Sequence, residues 1–253
     1  MSEEQGLLAI VPARGGSSGL PGKNIRSFAG LPLIAHSILY ARLCPEIAMT
    51  VVSTDSQEIA GVARTFGASV PFMRPPELAR NDTPIWPVLR HALEEVERQT
   101  QRRFEFLLLL DPTSPARLPS DVSSAFKQLR EAPSADGVIG VSQPDFNPIW
   151  HCVVERDGWM ADLVEHGGRY NRRQDVPTVY RINGSLYLWR ARFVRDQTGG
   201  WRPHGRHLLH EIPELRAMSI DTLEEFQKAE LLVTQGLIRF PWLDGREADR
   251  CVR

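Results

Sequence analysis

Short apolar runs bounded by turn residues alternate with longer segments of helical periodicity along most of the chain. Short runs are typical of strands buried in a sheet, whereas apolar residues at intervals of three and four indicate a helix with one buried face. The predicted strands are residues 7–11, 49–53, 106–110, 137–141, 184–189 and 215–220, with a short extended segment at 70–73. The predicted helices are residues 33–43, 56–66, 84–98, 121–130 and 222–235. This alternation predicts an α/β fold in which a mostly parallel sheet carries helices on both faces.

The alternation stops after Pro144. Residues 145–180 are rich in Asn, Arg, Gly and aromatic side chains without helical periodicity, which predicts an insertion of short strands and loops. We therefore predict a single domain over residues 1–243 that contains this insertion, followed by a polar tail at 244–253. Ligands of such folds bind beyond the carboxyl ends of the strands. The loops at those ends follow Val11, Ser53, Met73, Leu110, Val141 and Ile220.

Composition narrows the possible partners. The 253 residues include 30 basic and 31 acidic side chains, which leaves a net charge of −1. No overall field favours nucleic acid or an anionic membrane, so an anionic ligand must be met by a local cluster of cations. The three cysteines, Cys44, Cys152 and Cys251, form no CxxC pair and favour a reducing compartment. The amino terminus lacks the pattern of a signal peptide, and no apolar run is long enough to span a membrane. We therefore expect a soluble, cytoplasmic protein.

The segment after the first predicted strand, residues 12–24, has the sequence PARGGSSGLPGKN. Its glycines allow the backbone to approach a ligand closely and to turn its N–H groups toward it. Arg14 and Lys23 add cationic donors, and two serines add hydroxyl donors, so the segment suits an anion such as a triphosphate. The glycines are Gly15, Gly16, Gly19 and Gly22.

Three familiar motifs can be compared with this segment. A P-loop requires glycine where Ser17 stands and Ser or Thr where Asn24 stands, and the GxGxxG fingerprint fails because Arg14 occupies its first glycine position. Residues 15–19 do satisfy GxSxG, the nucleophile elbow of serine hydrolases. A serine hydrolase stays a second interpretation, against which the following Leu20-Pro21-Gly22 argues, because an elbow leads directly into a helix.

PARGGSSGLPGKN resembles the signature loop of the CMP-sialic acid synthetase (acylneuraminate cytidylyltransferase) family, commonly PARxGSKGLPxKN. Four further segments are similar to that family in the same order: RPPELARNDT (74–83), LLDPTSPAR (109–117), RRQDVPTVYRINGSLYL (172–188) and SIDT (219–222). The resemblance implies a Rossmann-like nucleotidyltransferase domain, CTP and an acidic nine-carbon sugar as substrates, Mg²⁺ as cofactor, and release of pyrophosphate. It also implies that the insertion 145–180 is a dimerisation element of a homodimer.

The resemblance further implies roles for individual residues, position by position. Arg14 and Lys23 would neutralise the charge that builds on the triphosphate, and Arg173 would fix the carboxylate of the sugar. The implied nucleotide-binding residues are Arg14, Gly15, Gly16, Ser17, Ser18, Lys23, Asn24, Arg74 and Thr83. The implied sugar-binding residues are Arg173, Arg181, Asn183 and Tyr187, and Asp221 is an implied metal ligand.

Three positions depart from the pattern of that family. Ser18 stands where a phosphate-contacting lysine is common, Asp111 where glutamine is common, and Ser219 where the first aspartate of an Asp-x-Asp pair is common. Asp111 directly follows a predicted strand, so it can supply a second carboxylate to Mg²⁺ beside Asp221. Alternatively, Asp111 caps the turn 112–114 or contacts a hydroxyl group of the sugar.

Two clusters of basic or metal-ligating side chains fall in the second half of the chain. Six arginines lie within residues 169–192, and we expect Arg173 and Arg181 at the sugar carboxylate because a guanidinium binds a carboxylate through paired hydrogen bonds. The other four suit a surface or a subunit interface. Three histidines at intervals of three are predicted to lie in a solvated loop. They are His204, His207 and His210.

Two other functions stay open at this point. A 3-deoxy-manno-octulosonate cytidylyltransferase belongs to the same reaction class, although those enzymes typically have QGDEP where this chain has LDPTSP. The three departures also fit an inactive nucleotide-binding relative.

Overall fold

A computed structural model describes residues 3–16 and 19–243, with side chains from residue 6 onward. Ser17, Ser18 and the predicted tail at 244–253 lie outside the described residues. The strands are β1 (Glu3–Pro12), β2 (Ser27–Phe28), β3 (Leu31–Pro32), β4 (Ile47–Ser53), β5 (Arg103–Leu109), β6 (Gly137–Ser142), β7 (Val153–Arg156), β8 (Trp159–Asp162), β9 (Arg181–Arg190) and β10 (His207–Glu211). The helices are α1 (Leu33–Arg42), α2 (Gln57–Thr65), α3 (Ile85–Thr100), α4 (Pro119–Glu131), α5 (Pro148–His151), α6 (Ala191–Asp196) and α7 (Leu223–Thr234).

The central sheet has the strand order β10-β6-β9-β5-β1-β4 in the described part of the chain. The pairs β1–β4, β1–β5 and β6–β10 are parallel, whereas β9 is antiparallel to both of its neighbours. The mostly parallel sheet that the sequence predicts is therefore confirmed. The antiparallel strand follows from the insertion: Ser142 at the end of β6 pairs with Arg181 at the start of β9, so the chain leaves and returns at one edge. A parallel return would need a crossover to the opposite edge.

Both faces of the sheet are covered, as its near-continuous apolar strands require. In β1, Leu7 and Ala9 pack into a core beneath α1, α4 and α7, whereas Leu8 and Ile10 pack into a second core beneath α3 and α6. All four side chains are fully buried, and none of the helices in the described residues has the length and apolar character needed to cross a bilayer.

The predicted strand at 215–220 is wrong. That segment holds a 3₁₀ turn at Glu214–Arg216 and a loop, and the edge strand is β10, earlier in the chain. Two of the histidines predicted in a solvated loop, His207 and His210, lie in this edge strand instead. The sequence HLLHE of this strand shows neither a continuous apolar run nor a strict alternation, because an edge strand is only partly buried.

Residues 70–73 form no strand; the chain there makes an isolated parallel bridge between Ser69 and Val51. Residues 145–180 contain the antiparallel hairpin β7–β8, in agreement with the predicted short strands, together with the single-turn helix α5 and two 3₁₀ turns, which were not predicted.

Candidate active site

A cleft of about 450 Å³ opens at the carboxyl ends of β1 and β5, the edge at which the sequence predicts ligand binding. Four segments that are distant in sequence build its wall. The lining residues are Pro12 at the end of β1, with Arg14, Gly19, Lys23 and Asn24 after it; Arg74, Leu78, Arg80, Asn81 and Thr83 between β4 and α3, with Ile85 and Val88 in the first turn of α3; Asp111 and Thr113 after β5; and Asp221 and Thr222 before α7. Seven of the predicted site residues therefore face one cavity: Arg14, Lys23, Asn24, Arg74, Thr83, Asp111 and Asp221.

Hydrogen bonds hold the glycine-rich loop, residues 12–24, near both of its ends. The backbone N–H of Gly15 donates to Asp55 Oδ1 at 2.9 Å, and Asn24 Nδ2 donates to the carbonyl oxygen of Arg14 at 3.1 Å. After Gly19 the chain turns through Gly22, which has a φ of 66° that suits glycine, into a 3₁₀ turn that buries Lys23 and Asn24. A helix does not follow the GxSxG match, because α1 begins only at Leu33. The local structure therefore lacks the context of a hydrolase elbow.

Lys23 and Asp221 join the first and last segments of the cleft. Lys23 Nζ donates to Asp221 Oδ1 at 2.8 Å, and Ser219 Oγ donates to Asp221 Oδ2 at 2.9 Å. Burial alone would raise the pKa of Asp221, but the hydrogen bond and charge of Lys23, with the bond from Ser219, outweigh it and lower that pKa. Asp221 is therefore ionised at neutral pH and orients the Lys23 ammonium group. The glycine at position 19 lets the loop lie against the backbone of Asp221, since a Cβ at that position would be 2.5 Å from the Asp221 carbonyl oxygen.

Two arginines add positive charge to the wall of the cleft. Arg74 is buried, donates from Nε to Ser53 Oγ at 3.1 Å and also donates to the carbonyl oxygen of Ser53. Burial lowers the pKa of Arg74 to about 10, which leaves its guanidinium charged at neutral pH. Arg14 donates from Nη1 to the carbonyl oxygen of Arg80 at 2.8 Å. The cleft therefore carries cations on two of its four wall segments, as suits a polyanionic ligand.

Asp111 lies at the end of β5, where its carboxylate caps a turn. Its Oδ1 accepts hydrogen bonds from the backbone N–H of Thr113 at 3.0 Å and from Thr113 Oγ1 at 2.9 Å. Among the described residues, Asp111 Oδ2 accepts no hydrogen bond. The capping role that the sequence analysis named as an alternative is thus observed, and it occupies one oxygen. The second oxygen belongs to a residue of the cleft wall, so capping and ligand binding are compatible.

Apart from Asp111, for which a contact with the sugar is one alternative, the four predicted sugar-binding residues lie outside the lining of the cleft. Arg181 is ion-paired with Glu214 at 2.8 Å, and Asn183 is buried, where its Nδ2 donates to Ser142 Oγ at 2.9 Å. Arg173 is exposed in a 3₁₀ turn of the insertion. The fourth, Tyr187, stacks on Trp189 and pairs across the sheet with Leu109, two residues before Asp111. Their roles toward a sugar stay predictions.

Two arginines of the site were not predicted from the sequence. Arg80 lines the cleft from within the RPPELARNDT motif, and Arg117 ends the LLDPTSPAR motif. Arg117 is 1% exposed and donates to the carbonyl oxygens of Asp111 and Ser185, both at 3.1 Å, and to Ser37 Oγ at 2.6 Å. Arg117 therefore links the backbone of Asp111 to β9 and to α1. The motif positions are a signal for both residues, but Ser37 and Ser185, two partners of Arg117, are distant from it in sequence.

Comparisons with known proteins agree with this geometry. The family model described as "Cytidylyltransferase" matches residues 8–235. A CMP-N,N'-diacetyllegionaminic acid synthase from Legionella pneumophila is 34% identical over 233 residues, which cover 90% of this chain and 96% of that protein. A pseudaminic acid cytidylyltransferase from Campylobacter jejuni is 26% identical over 225 residues, covering 89% and 95%. The solved structure of a CMP:2-keto-3-deoxy-manno-octonic acid synthetase with CTP has a TM-score of 0.68 at 20% identity, covering 92% of this chain and 100% of that chain, and shows the same fold.

Proposed function

This chain belongs to the cytidylyltransferase family, as its five motifs suggest, and we propose that it transfers CMP from CTP to the anomeric hydroxyl group of an acidic nine-carbon sugar. The observation that carries the proposal is that one cleft brings together the cations of the glycine-rich loop, the buried Arg74 and the carboxylates of Asp111 and Asp221. This arrangement suits a nucleoside triphosphate. The enzyme class is that of a nucleotidyltransferase of the acylneuraminate cytidylyltransferase type.

The class of sugar is proposed from the relatives. Two relatives that match about nine-tenths of the chain are named a CMP-N,N'-diacetyllegionaminic acid synthase and a pseudaminic acid cytidylyltransferase, and both names specify a nonulosonic acid. The octonic acid synthetase shares only the fold, at 20% identity. A nonulosonic acid is therefore favoured over 3-deoxy-manno-octulosonate as the acceptor.

In the proposed reaction, the anomeric oxygen of the sugar forms a bond to the α-phosphorus of CTP, and the bond from that phosphorus to the bridging oxygen of pyrophosphate breaks. The hydroxyl proton is released to solvent. The protein contributes position and charge. Lys23, held by Asp221, and Arg14, held by the carbonyl oxygen of Arg80, present fixed cations to the charge that moves onto the departing pyrophosphate. Because both are oriented before the ligand binds, little reorganisation is needed.

The residues present fit a magnesium ion. Mg²⁺ binds through one or two carboxylates together with phosphate oxygens and water, and Asp111 and Asp221 both line the cleft. Asp111 and Asp221 would hold the ion, which when bound would offset the charge of the triphosphate. Ser219 would act on this site indirectly, by orienting Asp221.

We also propose that the protein is a homodimer formed through the insertion. The β7–β8 hairpin exposes large apolar side chains: Trp159 and Met160 are each 79% exposed, and Val153 is 51% exposed. Exposed apolar groups gathered on one element are typical of an interaction surface. Arg173 lies in the same insertion, away from its own cleft, so we propose that it reaches the sugar site of the partner.

Nucleotide choice tests the proposal. Pyrophosphate release should be measured with Mg²⁺, a mixture of nonulosonic acids and each of CTP, UTP, GTP and ATP. We expect rapid turnover with CTP and at least about tenfold slower turnover with the others, since a site that hydrogen-bonds one base leaves polar groups unpaired with another. Equal rates with UTP would refute cytidylyl transfer. Release with none of the four would favour the inactive relative.

A further inference from the structure

Four cationic side chains line the cleft within the described residues, and three of them are held by the protein. Lys23 is ion-paired, Arg74 is buried against the end of β4, and Arg14 donates to a backbone oxygen. The fourth is Arg80, whose side chain is 69% exposed. An anionic ligand that enters the cleft therefore meets in Arg80 the cation that is least restrained by its surroundings.

The backbone of Arg80 belongs to an anchored turn. Its carbonyl oxygen accepts hydrogen bonds from Arg14 Nη1 at 2.8 Å and from the backbone N–H of Thr83 at 3.3 Å. Thr83 Oγ1 in turn donates to the carbonyl oxygen of Glu77 at 3.2 Å. The Arg80 side chain can therefore change its partner by rotating its own torsion angles, while the turn that carries it stays in place.

The present partner of that side chain is weak. Arg80 Nε lies 3.2 Å from Asp82 Oδ1, and Nη2 lies 3.4 Å from Asp82 Oδ2, with the Asp82 side chain 72% exposed. Ion pairs between exposed side chains are screened by water and salt and contribute little. A triphosphate carries several negative charges, and a guanidinium matches the geometry of phosphate oxygens. A triphosphate therefore offers the Arg80 guanidinium more negative charge than the single carboxylate of Asp82 does.

We propose that Arg80 binds phosphate groups of the nucleotide and that Asp82 competes for its guanidinium in the free protein. The inference rests on the proposed use of CTP. Two opposite effects follow from the competition. Loss of the Arg80 side chain weakens nucleotide binding, whereas loss of the Asp82 charge strengthens it, because the guanidinium is no longer held at the rim of the cleft.

The dissociation constant of CTP, measured by calorimetry without sugar, tests the inference. Arg80→Ala should raise it by about tenfold, the scale of one hydrogen-bonded charge contact. Asp82→Asn should lower it by about twofold to threefold, the scale of one exposed ion pair. The inhibition constant of cytidine, which has no phosphate, should be unchanged in both variants. A CTP constant within twofold of wild type in Arg80→Ala, or an equal loss for cytidine, would overturn the inference.

The matched control is Arg98→Ala. Arg98 is also an exposed arginine with two hydrogen bonds to one carboxylate, that of Glu95 on α3, but it lies outside the cleft lining. Its replacement should leave CTP binding unchanged. A loss equal to that of Arg80→Ala would show a nonspecific effect of net charge and would overturn the inference.

The double variant tests the competition itself. If Asp82 acts through Arg80, Asp82→Asn should bring no gain in the Arg80→Ala background, because the two effects are coupled. A gain of the same size in both backgrounds would show that Asp82 merely repels the nucleotide, which contradicts the competition. The proposed function is judged separately: if wild type binds CTP and releases pyrophosphate while the variants behave as wild type, only the inference fails, and if wild type does neither, both fail.

Discussion

Asp111 shows how one side chain can combine a structural and a chemical role. Its Oδ1 caps the turn through Thr113, an interaction that asparagine can reproduce with its own amide oxygen. We therefore expect Asp111→Asn to unfold at nearly the wild-type temperature but to lose about 10²–10³ in Mg²⁺-dependent kcat, the scale for removal of a preorganised charged group. A Mg²⁺ titration of the variant checks this. An unchanged Mg²⁺ requirement would remove Asp111 from the metal site.

The double variant with Asp221→Asn adds a second check on the same ion. If Asp111 and Asp221 hold one Mg²⁺, their separate losses should not add, since either change alone disrupts the site. Additive losses would assign the two carboxylates to separate functions.

His36 makes the stability of the fold depend on pH. It is fully buried, its Nε2 donates to the Phe28 carbonyl oxygen at 2.8 Å, and its Nδ1 accepts from Trp242 Nε1 at 3.0 Å. Burial lowers its pKa from 6.5 to about 4, because the neutral ring is favoured in the core. As the pH falls, His36 therefore takes up a proton in the unfolded chain before it does so in the folded protein. The free energy of unfolding is highest above pH 6.5 and falls by about 3 kcal/mol as the pH approaches 4.

Urea unfolding at several pH values checks this expectation. His36→Gln keeps a donor and an acceptor but has no proton to bind in that range, so its unfolding free energy should change less between pH 6.5 and 4 than that of wild type. Equal pH dependence in the two proteins would show that His36 does not titrate as its surroundings require.

At the residue scale, the motifs predicted much of the site. Seven predicted residues line one cleft, since each lies just beyond a strand or within a motif segment. The contacts between them could not be predicted. Lys23 and Asp221 are separated by 198 positions, and Arg117 reaches Ser185 over 68 positions. A local pattern carries no information on pairs so distant.

The glycine-rich loop is the element on which the site geometry depends most. A Cβ on Gly19 would lie 2.5 Å from the backbone oxygen of Asp221, and backbone cannot yield as a flexible side chain does. We expect Gly19→Ala to displace the loop and lower kcat/KM by about tenfold to a hundredfold, the scale of a small misplacement at the reacting groups. Gly61→Ala is the control, since Gly61 is exposed in α2 with no atom within 4 Å of an added Cβ. Wild-type kinetics in Gly19→Ala would contradict the close approach.

Strand prediction failed where tertiary contacts decided the outcome. The apolar run 215–220 suggests a strand, but Arg216 in this segment bonds bidentately to buried Asp121, at 2.6 and 3.0 Å. The Ile220 N–H donates to the Thr113 carbonyl oxygen at 2.9 Å, which fixes the segment beside the cleft as a loop. The central strands β1 and β5 were predicted well because burial on both faces makes them continuously apolar.

At the scale of the whole molecule, the insertion predicts that two copies of this chain form a homodimer. Trp159→Glu would place a charge on the exposed hairpin and should convert the proposed dimer to a monomer. If Arg173 serves the sugar site of the partner, Trp159→Glu should also raise the KM for the sugar, while its CTP binding stays unchanged. Light scattering and kinetics check both points. Leu231→Glu, at a side chain that is 59% exposed on α7, is the control and should stay dimeric. A wild-type monomer with full activity would contradict the assembly.

The central claim is that this chain joins CMP to a nonulosonic acid. The most direct measurement is mass spectrometry of the products from CTP and Mg²⁺ with a panel of nonulosonic acids and with 3-deoxy-manno-octulosonate, with Arg14→Ala as the protein control. The account predicts a CMP-sugar and equimolar pyrophosphate with at least one nonulosonic acid, little product with the octulosonate, and a loss of about 10²–10³ in rate with Arg14→Ala. A CMP-octulosonate as the main product, or no CMP-sugar with any acid of the panel, would contradict it.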